Sequence, residues 1–115
     1  MKSFENKVAA ITGAGSGIGR ALALGLARQG CHLALADVNS AGLKETAELA
    51  RALGVKVSEA LVNVAERDAV QAWADQVMAE YGQVNAIFNN AGVAQGGTVE
   101  GNDYADYEWV MSINF

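Results

Sequence analysis

The stretch ITGAGSGIGRALALGLARQG, residues 11–30, decides the fold. It places four glycines at every second position between a short apolar run and a helix-like run rich in alanine and leucine. The preceding run KVAAIT, residues 7–12, has the composition of a buried strand. In the following run, Leu22 and Leu26 lie four residues apart, as on one face of a helix. The stretch therefore predicts a strand, a glycine-rich turn and a helix in succession.

Strand-like and helix-like segments continue to alternate along the rest of the chain. Further strands are predicted over 32–37, 55–62 and 84–90, and helices over 18–29, from Asn39 or Ser40 to Gly54, and over 66–81. A glycine-rich loop over 91–102 and a helix from about Asp103 follow. Because strands joined by such crossover helices run parallel, the sequence predicts an α/β fold with a doubly wound parallel sheet.

Composition restricts the partners and the compartment. Eight Lys and Arg against thirteen Asp and Glu give a net charge of -5, which leaves no basic surface for nucleic acid or an anionic membrane. Cys31 is the single cysteine, so no internal disulfide forms, and neither Cys31 nor His32 has partners at metal-ligand spacing. No signal peptide or membrane span is evident. We expect a cytoplasmic protein without a metal site.

The glycines suit an anion-binding turn. In a doubly wound sheet, the turn after the first strand directs the free N–H groups of the first helix toward the ligand crevice, where they stabilise a pyrophosphate. Asp37 follows Gly19 by 18 residues, near the offset at which a carboxylate binds the adenosine ribose hydroxyls. No Lys or Arg occupies the glycine loop or follows Asp37, which favours NAD over NADP. The alternatives are a flexible connection and an aspartate that only ends a strand.

The motifs TGAGSGIG, residues 12–19, and NNAG, residues 89–92, together resemble the classical short-chain dehydrogenases/reductases. The first motif has the spacing T-G-x-x-x-G-x-G, which differs from the G-x-G-x-x-G of medium-chain dehydrogenases. The resemblance runs through essentially all 115 residues but covers only the first half of such an enzyme. It implies a Rossmann-like sheet with strand order 3-2-1-4, and an NAD-binding half-domain over residues 1–115.

The resemblance also implies site residues. Thr12 and Asn90 would join the first strand to the fourth. Gly13, Ser16, Ile18 and Gly19 would surround the pyrophosphate, with Gly17 in the same turn; Asp37 would bind the adenosine ribose, Asn63 and Val64 would flank the adenine, and Asn90, Ala91 and Gly92 would line the nicotinamide-side ribose. Asn63 stands where the family usually has aspartate, but an amide still accepts and donates hydrogen bonds. Asn114 matches the asparagine of the family's Asn-Ser-Tyr-Lys catalytic tetrad.

The rest of that tetrad is missing from the 115 residues. None of Tyr81, Tyr104 and Tyr107 is followed by a lysine four residues later, and no serine matches. The helix from about Asp103 reaches Phe115 without a stop signal, so we expect the chain to be truncated, with the catalytic Ser/Tyr/Lys half absent.

The resulting expectation is the cofactor-binding half of an oxidoreductase that transfers a hydride between NAD(H) and an alcohol or ketone. A homo-oligomer is expected, because the family forms much of its subunit interface with the helix that would carry Trp109. Two alternatives remain: a non-catalytic half-Rossmann nucleotide-binding or scaffold module, and an enzyme that uses NADPH.

Overall fold

The computed structural model describes residues 4–90. Within them, strands and helices alternate as β1 (Val8–Thr12), α1 (Gly17–Arg28), β2 (His32–Asp37), α2 (Ser40–Arg51), β3 (Val57–Leu61), α3 (Arg67–Tyr81) and β4 (Ala86–Asn89). The four strands form one parallel sheet in the order β3-β2-β1-β4. The predicted α/β fold and the strand order are confirmed. The glycine-rich loop over 91–102 and the helix from Asp103 lie outside the described residues.

Helices cover both faces of the sheet. Successive residues of a strand point to opposite sides, so each strand contributes side chains to both faces. Ala9 and Ile11 of β1 pack with α1 and α2, whereas Val8 and Ala10 of the same strand pack with α3. All five residues of β1 are buried, as expected for a central parallel strand with helices on both faces. The arrangement is the doubly wound one that the alternation predicts.

The helix ends differ in how they are capped. Asn39 caps α2 by accepting a hydrogen bond from the Gly42 N–H at 3.2 Å. Gly82 ends α3 with a φ of 76°, in the left-handed region that favours glycine. Ser16 precedes α1, but its side chain makes no capping hydrogen bond. The first N–H groups of α1 therefore receive no side-chain cap from Ser16.

Cys31 is completely buried in the core between the sheet and α1. Burial raises the pKa of its thiol to about 11. Because the thiolate is the reactive form, we expect Ellman's reagent to leave Cys31 unmodified in the native protein at pH 8 and to modify it after unfolding. Fast modification of the native protein would contradict the buried position.

The same pKa shift predicts alkaline destabilisation. Between pH 9, the ordinary pKa of the thiol, and about pH 11, the unfolded chain releases the Cys31 proton while the folded chain retains it. The folded state then binds more protons, so the free energy of unfolding falls as pH rises through this window. Urea unfolding at several pH values measures this slope. The Cys31→Ala variant should show a smaller slope over the same range.

Candidate functional site

The carboxyl ends of the four strands meet at one edge of the sheet. Thr12 at the end of β1 lies opposite Ala36 on one side and Asn89 on the other, and Asp37 lies opposite Leu61. The chain order reverses between β1 and β4, which makes their carboxyl ends the switch point where ligands bind in sheets of this class. This edge also carries the glycine loop between β1 and α1, so the predicted Thr12 and Asp37 lie at one place.

The glycine loop is held against the sheet and against its own helix. The Ala14 N–H donates to the Ala36 carbonyl oxygen at 3.1 Å, which fixes the loop to β2. Gly13 and Gly17 have positive φ values of 64° and 59°. A Cβ on Gly17 would meet nothing within 4 Å in the described part of the chain, so space is open beside this residue. The loop is thus fixed on one side and open on the other.

The amino end of α1 is exposed beside this open space. Ser16, Gly17 and Ile18 are exposed, and Ile18 is 68% accessible. The first N–H groups of a helix have no intrahelical acceptor, and they coincide with the positive end of the helix dipole. These groups suit a diphosphate, which agrees with the roles predicted for the loop residues.

Asp37 is fixed beside the loop by three backbone N–H groups. Its Oδ2 accepts from Gly15 at 2.7 Å, and its Oδ1 accepts from Val38 at 2.7 Å and from Asn39 at 3.0 Å. An ionised carboxylate has about four lone-pair positions, so it retains capacity for a further donor. Asp37 therefore presents a fixed acceptor next to the glycine loop.

The link between β1 and β4 differs from the prediction. The Thr12 hydroxyl donates to Asn89 Oδ1 at 2.7 Å in a buried contact, and it lies 3.4 Å from the Phe88 carbonyl oxygen. Asn90 was expected to make this contact, and that assignment is wrong, because the strand register places Asn89 opposite Thr12. Asn90 follows the last residue of β4. Its buried Nδ2 has no hydrogen-bond partner among the residues that the structure describes.

The remaining predicted residues follow β3 or lie beyond residue 90. Asn63 is exposed, and its Oδ1 accepts from the Ala65 N–H at 3.0 Å, whereas Val64 packs partly into the core beneath α3. The Val62 N–H bonds to the Asp37 carbonyl oxygen, which brings this segment to the same edge as Asp37. Ala91, Gly92 and Asn114 lie outside the described residues.

Two residues of this region were not predicted from the sequence. Arg20 was not among the predicted site residues, but its side chain reaches back to the Gly15 carbonyl oxygen. Gly42 in the first turn of α2 lies against the same loop. The available signals were an arginine directly after the glycine motif and a glycine inside the helix that follows Asp37.

Residues 4–90 contain neither a membrane-spanning helix nor a cluster of metal-ligating side chains. No helix there is long and apolar enough to cross a bilayer. Over the same range, no group of three or more His, Cys, Asp or Glu side chains is placed to hold a metal ion.

Comparisons with known proteins agree with this geometry. A family model described as short chain dehydrogenase matches residues 7–115. A putative oxidoreductase, SadH, from Mycobacterium tuberculosis is 51% identical over 115 residues, which are all of this chain and 42% of the relative. A CLA biosynthesis dehydrogenase/reductase from Lactiplantibacillus plantarum is 34% identical over 99% of this chain and 40% of that protein. The chain thus spans less than half the length of these curated relatives.

Two solved structures with similar folds are described as containing NAD. An NAD+-bound xylitol dehydrogenase superposes with a TM-score of 0.72 and 35% identity, over 75% of this chain and 33% of that one. A short chain dehydrogenase/reductase from Burkholderia phymatum in complex with NAD gives a TM-score of 0.72 and 42% identity, over 76% of this chain and 31% of that one. The sheet order and the family match lead to the same assignment: this chain belongs to the short-chain dehydrogenase family.

Proposed function

We propose that residues 1–115 are the NAD-binding half-domain of an oxidoreductase that transfers a hydride between NAD(H) and an alcohol or ketone. The observation that carries this proposal is the position of Asp37, whose carboxylate is bonded to the glycine loop at Gly15. A carboxylate acceptor beside backbone amide donors is the combination that the ribose hydroxyls and the diphosphate of a dinucleotide require, and this supports the proposal. The two NAD-containing neighbours support the same cofactor class.

The described residues fit such a cofactor. Space beside Gly17 is open, Asp37 retains acceptor capacity, and the Asn90 Nδ2 is a buried donor without a partner among residues 4–90. When bound, NAD(H) supplies the hydride or accepts it. We assign the diphosphate to Gly13, Ser16, Gly17, Ile18 and Gly19, the adenosine half to Asp37, Asn63 and Val64, and the nicotinamide-side ribose to Asn90, Ala91 and Gly92. Thr12 supports the site by joining β1 to β4.

The proton chemistry is assigned only in part to this chain. Asn114 is proposed to hold a water molecule in the proton relay, and the acid or base itself would come from sequence beyond the 115 residues. A second candidate is a half-Rossmann module that binds nucleotide without catalysis. Turnover by the full-length polypeptide separates the two candidates.

The preference for NAD rests on charge. A 2′-phosphate would lie against the Asp37 carboxylate, and the neighbouring positions Ser16 and Val38 carry no positive charge to offset the repulsion. We also propose a cytoplasmic location, supported by the single buried thiol, and a homo-oligomer, supported by family membership alone.

The test is titration of NADH into the full-length polypeptide that carries this chain, followed by absorbance at 340 nm with a panel of alcohols and ketones. We expect saturable binding and turnover of at least one substrate. Binding without turnover across the panel would favour the non-catalytic module. Absence of NADH binding at millimolar concentration would overturn the proposal.

Gly17→Asp tests the diphosphate assignment, and Gly54→Asp is its matched control. Gly17 and Gly54 both have positive φ values, 59° and 93°, and a Cβ on either would meet nothing within 4 Å in the described residues. Gly54→Asp should strain the backbone at least as much as Gly17→Asp, because 93° lies further from the left-handed region that aspartate adopts, but only Gly17→Asp places a carboxylate at the proposed diphosphate position. We expect Gly17→Asp to abolish NADH binding and Gly54→Asp to retain it. Equal binding by both variants would contradict the assignment.

A further inference from the structure

Arg20 lies in the first turn of α1, and its side chain extends back across the glycine loop to α2. Its Nε donates to Thr46 Oγ1 at 2.8 Å. Its Nη2 donates to the carbonyl oxygens of Gly15 at 2.7 Å and Gly42 at 3.2 Å, and forms an ion pair with Glu45 at 3.0 Å. One guanidinium therefore joins the loop to α2 at several points.

The loop and α2 also touch directly through their backbones. A Cβ on Gly42 would lie 2.5 Å from the Gly15 carbonyl oxygen, and a Cβ on Gly15 would lie 3.0 Å from the Leu43 nitrogen. No side chain fits between these segments. The position of Gly15 relative to α2 is thus set by close backbone contact and by the bonds from Arg20.

Gly15 connects this contact to Asp37. Its N–H donates to Asp37 Oδ2 at 2.7 Å while its carbonyl oxygen accepts from Arg20. The other carboxylate oxygen of Asp37 bonds to N–H groups of the turn that follows β2, at Val38 and Asn39. Of these three hydrogen bonds, only the one from Gly15 joins the carboxylate to the glycine loop. A shift of Gly15 would therefore release Asp37 from the loop.

The charge of Arg20 is directed into this contact. The Arg20 side chain is 27% exposed, and its Nη2 alone faces the oxygens of Gly15, Gly42 and Glu45. A guanidinium provides donors in a planar, rigid fork, whereas a lysine ammonium provides a point charge. The arrangement suits a group that fixes geometry, and its charge is already compensated by Glu45.

We propose that Arg20 is a positioning residue for the adenosine ribose. By holding the Gly15 carbonyl against the first turns of α2, Arg20 keeps the Gly15 N–H on Asp37 and thereby fixes the carboxylate for the ribose hydroxyls. The inference rests on the proposed function, because it requires that a dinucleotide binds at this edge of the sheet. It adds a residue outside the glycine motif that controls how well the ribose is recognised.

The test measures recognition of one hydroxyl group by the full-length polypeptide. NADH and its 2′-deoxyadenosine analogue are titrated into the wild type, Arg20→Lys and Arg20→Gln. Because a lost hydrogen bond to a charged acceptor weakens binding by about tenfold, the wild type should prefer NADH by about that factor. In both variants we expect the preference to fall to about twofold or less, with the main loss in NADH affinity. A general loss of structure would weaken both ligands without changing their ratio.

Arg51 provides the matched control. It donates to Glu59 at 2.8 Å and to the carbonyl oxygen of Val57 at 3.0 Å. Val57 is the first residue of β3, so these bonds lie away from the carboxyl ends of the strands. Arg51→Lys and Arg51→Gln should keep the wild-type preference, and melting curves check folding throughout.

The outcomes separate this inference from the proposed function. No NADH binding by the wild type would end both. NADH binding in which the Arg20 variants keep the full 2′-hydroxyl preference, or a wild type with no such preference, would overturn the positioning role alone. If the Arg20 variants lost more affinity for NADPH than for NADH, Arg20 would instead be a ligand of the 2′-phosphate. That result would also overturn the positioning role.

Discussion

Gly19→Ala is expected to destabilise the protein by at least about 3 kcal/mol, because overpacking against backbone atoms cannot be relieved by side-chain movement. A Cβ on Gly19 would lie 1.9 Å from the Gly13 carbonyl oxygen and 2.7 Å from the Gly13 carbonyl carbon. To remove the overlap, the first turn of α1 would have to move away from the glycine loop. The same movement would separate the amides proposed to bind the diphosphate.

Gly25→Ala is the matched control in the same helix. A Cβ on Gly25 would meet nothing within 4 Å in the part of the chain that the structure describes. Alanine is favoured over glycine inside a helix by about 1 kcal/mol, so this variant should be slightly more stable than the wild type. Thermal and urea unfolding of the full-length polypeptide measure both effects. Similar melting temperatures for the two variants would show that α1 does not contact the loop as described.

The sequence was most informative where a signal is local. The predicted bounds of β2 match the structure at both ends, since the four central residues of HLALAD are apolar and buried, and the polar His32 and Asp37 mark its two ends. The third strand was predicted over 55–62 but occupies only Val57–Leu61. This strand lies at the edge of the described sheet, where only β2 pairs with it and the burial pattern is weaker.

In the candidate site, too, the features set by local sequence could be predicted and those set by packing could not. The glycine spacing and the offset to Asp37 are sequential properties, so the loop and its acceptor could be predicted together. The choice between Asn89 and Asn90 depends on strand register, and a shift of one residue changes which side chain faces Thr12. The contact of Arg20 with Gly42 joins positions 22 residues apart through helix packing. The arginine after the glycine motif and the glycine inside α2 are visible in the sequence, but nothing local shows that they meet.

Asp37→Ala is expected to weaken NADH binding by about 10-fold to 100-fold, since it removes a charged acceptor for which the ribose hydroxyls have no replacement. NADPH should lose less affinity or gain some, because the substitution also removes the repulsion of its 2′-phosphate. The variant also deprives the N–H groups of Gly15, Val38 and Asn39 of their acceptor. Some loss common to both cofactors is therefore expected, and the ratio of the two dissociation constants is the decisive quantity.

Isothermal titration of NADH and NADPH into the full-length wild type, Asp37→Ala and Asp75→Ala measures that ratio. Asp75 is an exposed aspartate on α3, where it accepts a hydrogen bond from Gln71, so its removal takes away the same charge without touching the loop. The Asp75 variant should keep the wild-type preference for NADH. If Asp37→Ala also keeps it, the carboxylate serves only to end β2 and to order the following turn. Cofactor choice would then have to come from other residues, because Ser16 and Val38 carry no charge that discriminates a 2′-phosphate from a hydroxyl.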